Sequence, residues 1–164
     1  DLIVVSGVIG DSFIGLKLLQ NKNTSFNEDK MLIDKFLIPN PRIDIGKIII
    51  NYATSLIDIS DGLLADLEHI CKNSNVGAEI FIKDIPFSKG AQNYIDSNIF
   101  SHIDLITGGD DYELLYTINP KDIKNLDNNS YIIGKIIEGD SLNLYSIDNQ
   151  LLNPNDTFMG YKHF

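Results

Sequence analysis

The 164 residues carry 13 Lys and Arg against 23 Asp and Glu, a formal net charge of −10, with 43% hydrophobic and 22% charged residues. Length and composition are those of one globular domain able to bury its own core. The charge argues against nucleic acid and anionic membrane surfaces as partners, since both would be repelled, and no apolar run approaches the ~20 residues that span a bilayer.

Asp1 to Gly7 reads as a strand rather than a signal peptide, because no basic segment precedes it. The cytoplasm is the expected compartment. The chain opens inside an element without an initiator Met, so it is expected to be a piece of something longer. Its single cysteine, Cys71, excludes an intrachain disulfide and falls on an apolar helix face, as a buried structural thiol would.

Leu2 to Val5 is a buried strand by its β-branched run. Gly7, Gly10 and Gly15 surround a turn, where Asp11 or Ser12 can cap a helix carrying Phe13, Leu16, Leu18 and Leu19. Asn21 to Thr24 is a polar loop. Ser25 and Glu28 have capping-box spacing ahead of a helix with Met31, Leu32 and Phe36, which runs to the rigid Pro39-Asn40-Pro41 turn. A further helix is expected with Ile45, Ile48, Ile49 and Tyr52 on one face.

Ser55 to Ile59 is the next strand. Leu63, Leu64, Leu67, Ile70 and Cys71 then recur at helical spacing, in a helix ended by Asn73-Ser74-Asn75 and Gly77. Ala78 to Ile82 is a strand and Lys89 to Asp96 a short helix. Leu105-Ile106 leads into a Gly108-Gly109 turn, and Tyr112 to Ile118 is a strand. Tyr131 to Ile137 and Leu142 to Ile147 flank Glu138-Gly139-Asp140-Ser141, which predicts a hairpin. The last ten residues read as irregular. Helices and strands interleave early and strands dominate late, which predicts a layered α/β or α+β sheet.

Two acidic clusters carry the chemistry. In the first, Asp58-Ile59-Ser60-Asp61-Gly62, strand alternation puts Asp58 and Ser60 on one face. Asp61 is expected in the first turn of the helix, and Gly62 is expected to let a ligand approach backbone N–H groups that lack an intrahelical partner. Such an end can hold phosphate oxygens while the aspartates supply hard oxygens for Mg²⁺. The simpler reading is that Ser60 and Asp61 are caps. An EF-hand is excluded, because the glycine comes one place early and His69 occupies the slot of the bidentate Glu.

In the second cluster, Gly108-Gly109-Asp110-Asp111-Tyr112-Glu113-Leu114, three carboxylates fall within four residues. They repel unless water, donors or a cation separate them. Glu113 faces opposite to Tyr112 and Leu114, toward either a site or solvent. His69, His102 and His163 have no metal-ligand spacing. There is no Walker loop, no Gly-x-Ser-x-Gly and no Cys-x-x-Cys.

Taken in order, these segments resemble thiamine-monophosphate kinase, of the aminoimidazole ribonucleotide synthetase-like superfamily. The likeness rests on Val5-Ser6-Gly7 with Gly10-Asp11-Ser12 and Gly15-Leu16, Pro39 to Arg42 with Gly46, and Ile57 to Leu63 with Asp66-Leu67 and His69-Ile70. It continues through Gly108 to Leu115 and ends on Gly160-Tyr161-Lys162-His163-Phe164. Phe13-Ile14 departs from the small residues usual in the family.

The resemblance covers the family's C-terminal domain, here residues 1–164. It implies layered helices on a mixed β-sheet, with the N-terminal ATP- and metal-binding domain outside this chain and serving as its partner. It implies that Asp58 and Asp61 ligate Mg²⁺, that Ser60 contacts ATP, and that Asp110 and Tyr161 bind thiamine monophosphate. It assigns no catalytic residue. Asp111 and Glu113 are less secure carry-overs. The implied reaction converts ATP and thiamine monophosphate to ADP and thiamine diphosphate by direct Mg²⁺-assisted transfer. The full-length protein would be a homodimer, the fragment inactive and monomeric. The rivals are another ATP-dependent enzyme of the superfamily and a non-catalytic binding module.

Overall fold

A computed structural model describes residues 1–21 and 26–152. Of the expected loop Asn21 to Thr24, Asn21 instead ends a helix; the rest of that loop, the Ser25 half of the capping box, and the terminal segment with Tyr161 lie outside the described residues. Six strands form one mixed sheet in the order β2-β4-β1-β5-β3-β6. They are β1 (Leu2–Val5), β2 (Ala53–Asp58), β3 (Gly77–Phe81), β4 (Leu114–Ile118), β5 (Tyr131–Ile137) and β6 (Leu142–Tyr145). All pairings are antiparallel except β3 with β6. The layered α/β class anticipated from the sequence is the one observed.

β1 is an inner strand with packed clusters on both faces of the sheet, which is why its Ile-Val-Val run is fully buried. Alternation sends Ile3 and Val5 to one face and Val4 to the other. The first face packs on α4 (Leu63–Ser74) through Leu63, Leu64, Leu67, Ile70 and Cys71. The opposite face packs, around Val4, Tyr116 and Ile118, on α3 (Ile43–Ile49) through Ile49. A second helical core joins α1 (Asp11–Asn21), α2 (Asp29–Leu37), α5 (Lys89–Asp96) and α6 (His102–Thr107) through Ile14, Leu32, Tyr94 and Leu105. At Gly15 the helices α1 and α2 come so close that a Cβ would collide with the Leu32 carbonyl oxygen. Among the described residues, no helix is long and apolar enough to cross a membrane.

Three expectations are corrected. Tyr131–Ile137 and Leu142–Tyr145 do not pair as a hairpin: β3 lies between them, its Ala78 N–H reaching the Ser141 carbonyl at 2.9 Å. Ile48 does not share the buried face of α3; it stands exposed while Ile49 is buried. Asn75, in the left-handed conformation, ends α4, and Gly77 already belongs to β3. The helix α6 was not anticipated, although Ser101 and Asp104 form a full capping box at its start.

Candidate active site

The two acidic clusters are one structure. Edge strand β2 pairs with β4 so that Asp58 stands opposite Leu114, and the ladder continues past both strand ends. Ile59 N–H donates to the Glu113 carbonyl at 2.8 Å, Tyr112 N–H to the Ile59 carbonyl at 2.8 Å, and Asp110 N–H to the Ser60 carbonyl at 2.9 Å. The glycines follow from this contact. Gly62 sits at φ +118°, and a Cβ there would lie 2.8 Å from the Thr107 carbonyl oxygen; one on Gly109 would collide with that of Ser60. Gly62 therefore makes room for the neighbouring loop, where a ligand had been expected.

Asp58 closes β2 and is exposed, on the sheet face that carries α3; Ser60 and Asp61 are half-buried. Asp61 precedes the N-cap Gly62 and so lies before the first turn of α4. The expected free N–H groups are taken: Ser60, Asp61 and Gly62 donate to Asp66 Oδ2 at 3.0, 3.1 and 3.2 Å. An internal carboxylate thus fills the place where a phosphate was anticipated. Burial raises the Asp66 carboxyl above its ordinary value, opposed by the N–H bonds from Asp61 and Ser60. Ligand atoms of Asp61, Asp66 and exposed His69 lie within 4.8 Å of one another, in a cluster that does not include Asp58.

The three crowded carboxylates of the second loop are parted by protein donors. Asp110 remains at the surface, half-buried, and accepts from the Tyr112 hydroxyl at 3.3 Å. Asp111 turns to the start of α1, accepting from Gly10 N–H at 2.8 Å and Ser12 N–H at 3.4 Å. This remote carboxylate holds the helix N-terminus that Asp11 or Ser12 was expected to cap, while Asp11 accepts from the Ser88 hydroxyl at 2.6 Å. Burial pushes the Asp111 carboxyl up to about 8, against the Gly10 bond and with the charge of Asp11 adding to the rise.

Glu113 is only 2% exposed. It accepts from the Ser6 hydroxyl at 2.7 Å and from Arg42 through a two-pronged contact, Nε to Oε2 at 2.7 Å and Nη2 to Oε1. Lys35 Nζ lies 3.9 Å away. The question left open by alternation is settled: Glu113 faces the interior and a cation.

Sequence reasoning gave no role to Asp66, Arg42, Lys35 and Ser6, although all but Lys35 lie in the motifs that carry the resemblance. Asp66 had a signal, because it occupies the buried stripe of α4 with Leu63, Leu67 and Ile70. Arg42 is the one arginine in the chain, and a planar fork matches a carboxylate in two places as no lysine can. Lys35 gave none, and the bond from Ser6 could not be read, since the partner of both, Glu113, is far away in sequence.

The mixed sheet with helices on both faces has the aminoimidazole ribonucleotide synthetase-like fold of the solved structures it superposes on. Within that class its relatives are the thiamine-monophosphate kinases, as the motifs indicated. It is 44% identical to the one from Buchnera aphidicola subsp. Schizaphis graminum over 140 residues, 84% of this chain and 42% of the relative. The Haemophilus influenzae enzyme is 38% identical over 175 residues, covering 100% of this chain and 52% of the relative. The solved structure "AaThiL complexed with AMPPCP and TMP" superposes with a TM-score of 0.83 at 34% identity, over 100% of this chain and 51% of that one. No family model matches. The chain spans about half the length of the curated relatives it matches.

Proposed function

We propose that this chain is the C-terminal half of an enzyme that transfers the γ-phosphoryl group of ATP to thiamine monophosphate, giving ADP and thiamine diphosphate. One observation carries the reading: similarity to thiamine-monophosphate kinases extends over the whole chain, and a similar solved structure holds AMPPCP and TMP. The N-terminal half would supply the remaining ATP and metal contacts, in a cytoplasmic homodimer.

In this reading Asp58 and Asp61 hold Mg²⁺, Ser60 contacts ATP, and Asp110 and Tyr161 bind thiamine monophosphate. The donor set fits a hard cation: both ligands are carboxylates at the surface or half-buried, where water can complete the shell. Bound Mg²⁺ would neutralise phosphate charge. The backbone of Ser60 is committed on both sides, to Asp66 and to Asp110, so a contact to ATP falls to its hydroxyl. A phosphate monoester with a second pKa of about 6 is largely ionised near neutral pH. No strong general base is needed. The barrier lies in bringing two anionic groups together, so this chain's part is orientation and charge placement. Tyr161 suits a flat heterocycle.

The test is a product assay on the full-length parent with ATP, Mg²⁺ and thiamine monophosphate, with free thiamine as the control acceptor. Thiamine diphosphate should form only from the monophosphate. Asp61→Ala should lower kcat by at least about 100-fold, and the 164-residue chain alone should be inactive. No product from folded, Mg²⁺-supplied parent would return the chain to another superfamily reaction or to a binding role.

A further inference from the structure

The Gly108–Glu113 loop has a two-residue rhythm. Asp110 and Tyr112 are non-glycine residues with left-handed backbones, at φ +68° and +51°. Asp111 and Glu113, which alternate with them, are tied into the protein. Residues in such conformations persist only where their surroundings over-determine them. Here the surroundings are explicit. Both oxygens of Asp111 accept from the start of α1, and both oxygens of Glu113 are engaged by Arg42, with Ser6 added on one. Ser6 closes the arrangement from the other side, its hydroxyl accepting from Leu114 N–H at 2.8 Å. A Cβ on Gly7 would lie 2.6 Å from the Glu113 carboxyl carbon, so the β1–α1 turn is shaped around this anchor.

The anchored loop presents only two side chains outward. Tyr112 is 36% exposed, its hydroxyl donates to Asp110, and its backbone N–H donates to the carbonyl of Ile59, the residue after Asp58. The two residues therefore stand together at the Asp58 end of the edge strand. We propose that Asp111 and Glu113 are positioning residues, holding the loop so that Asp110 and Tyr112 form one acceptor-binding surface, with Tyr112 a further contact for the acceptor. The assignment of the acceptor rests on the kinase reading; the anchoring does not.

The experiment uses the full-length parent, with Asp111→Ala, Asp111→Asn and Tyr112→Phe. Two readouts are taken: backbone amide hydrogen exchange, and KM for thiamine monophosphate and ATP alongside kcat. Asp111→Ala should lose protection at Gly10, Ser12 and residues 109–112. It should raise the thiamine monophosphate KM about tenfold while the ATP KM moves less than about threefold. Asp111→Asn keeps one acceptor oxygen and should fall between Ala and the parent. Tyr112→Phe should raise only the acceptor KM, because it loses the hydroxyl and keeps the anchors.

Equal loss of kcat in Asp111→Ala and Asp111→Asn, relieved by excess Mg²⁺, would identify a metal ligand and overturn the positioning role. An unchanged acceptor KM in Tyr112→Phe would remove Tyr112 from the surface. A parent that makes no thiamine diphosphate would sink the kinase reading alone. In that case lost protection at Gly10 and Ser12 would still support the anchoring, and unchanged protection would refute it.

Discussion

The loops Asp58–Gly62 and Gly108–Glu113 lie against each other, yet they are held in different ways. The first is fixed locally: Asp66 reaches back six residues to the Ser60 N–H and satisfies two more. The second is fixed from a distance, through bonds such as that from Gly10 to Asp111 across 101 residues of sequence. Both helix N-termini, of α4 and of α1, end up facing a carboxylate. A local clamp forms once its own helix forms. A remote one exists only in the assembled fold, so it reports on tertiary packing.

Breaking the remote clamp should have the largest effect. In Arg42→Ala, Glu113 remains 2% exposed with Ser6 and a lysine 3.9 Å away and loses its paired donors. An uncompensated buried carboxylate costs about 3 kcal/mol. Urea unfolding of the chain should show this as a lower midpoint. Arg42→Lys should recover less than half, because an ammonium cannot fill both oxygens. An unchanged midpoint in Arg42→Ala would mean that Ser6 and Lys35 suffice.

Breaking the local clamp should cost less. Asp66→Ala leaves three N–H groups without their acceptor; Gly62 is buried, but Ser60 and Asp61 are only half-buried, so water can replace part of their loss. The expected destabilisation is about 2 kcal/mol, with Asp66→Asn about half as costly because one oxygen remains. Amide exchange should quicken at Ser60, Asp61 and Gly62 and leave Gly10 and Ser12 protected. Spread to Gly10 and Ser12 would show that the two loops are one cooperative unit.

The same divide explains what was legible in the sequence. The apolar stripe of α4, the β1 run and the span Lys89–Asp96 of α5 depend on neighbours a few residues apart, and were read correctly. The pairing of β5 and β6 was not. Glu138 to Ser141 does make a turn, with Gly139 at φ +96°, but a turn says nothing about a third strand entering between the two it joins. At the site, Asp58, Ser60, Asp61 and Asp110 were legible as two acidic clusters. That Asp111 serves α1 and Glu113 serves Arg42 was not, because neither partner is within hydrogen-bond reach until the sheet has closed.

The smallest expected effect sharpens the comparison most. Where the local loop needs a positive φ it uses Gly62; the remote loop puts Tyr112 in that region, at φ +51°. Tyr112 is 36% exposed, so the burial of the rest of its side chain opposes the strain of a left-handed backbone that costs on the order of 1 kcal/mol. Tyr112→Gly relieves that strain but loses the buried ring area and loosens the unfolded chain, so stability, read from the urea midpoint, should change by less than about 0.5 kcal/mol while acceptor binding weakens in the full-length parent. A tyrosine that adds so little stability in a strained backbone is one retained for contact. A destabilised Tyr112→Gly would mean instead that the ring packs well enough to explain its own conformation, and the loop would then need no ligand to account for it.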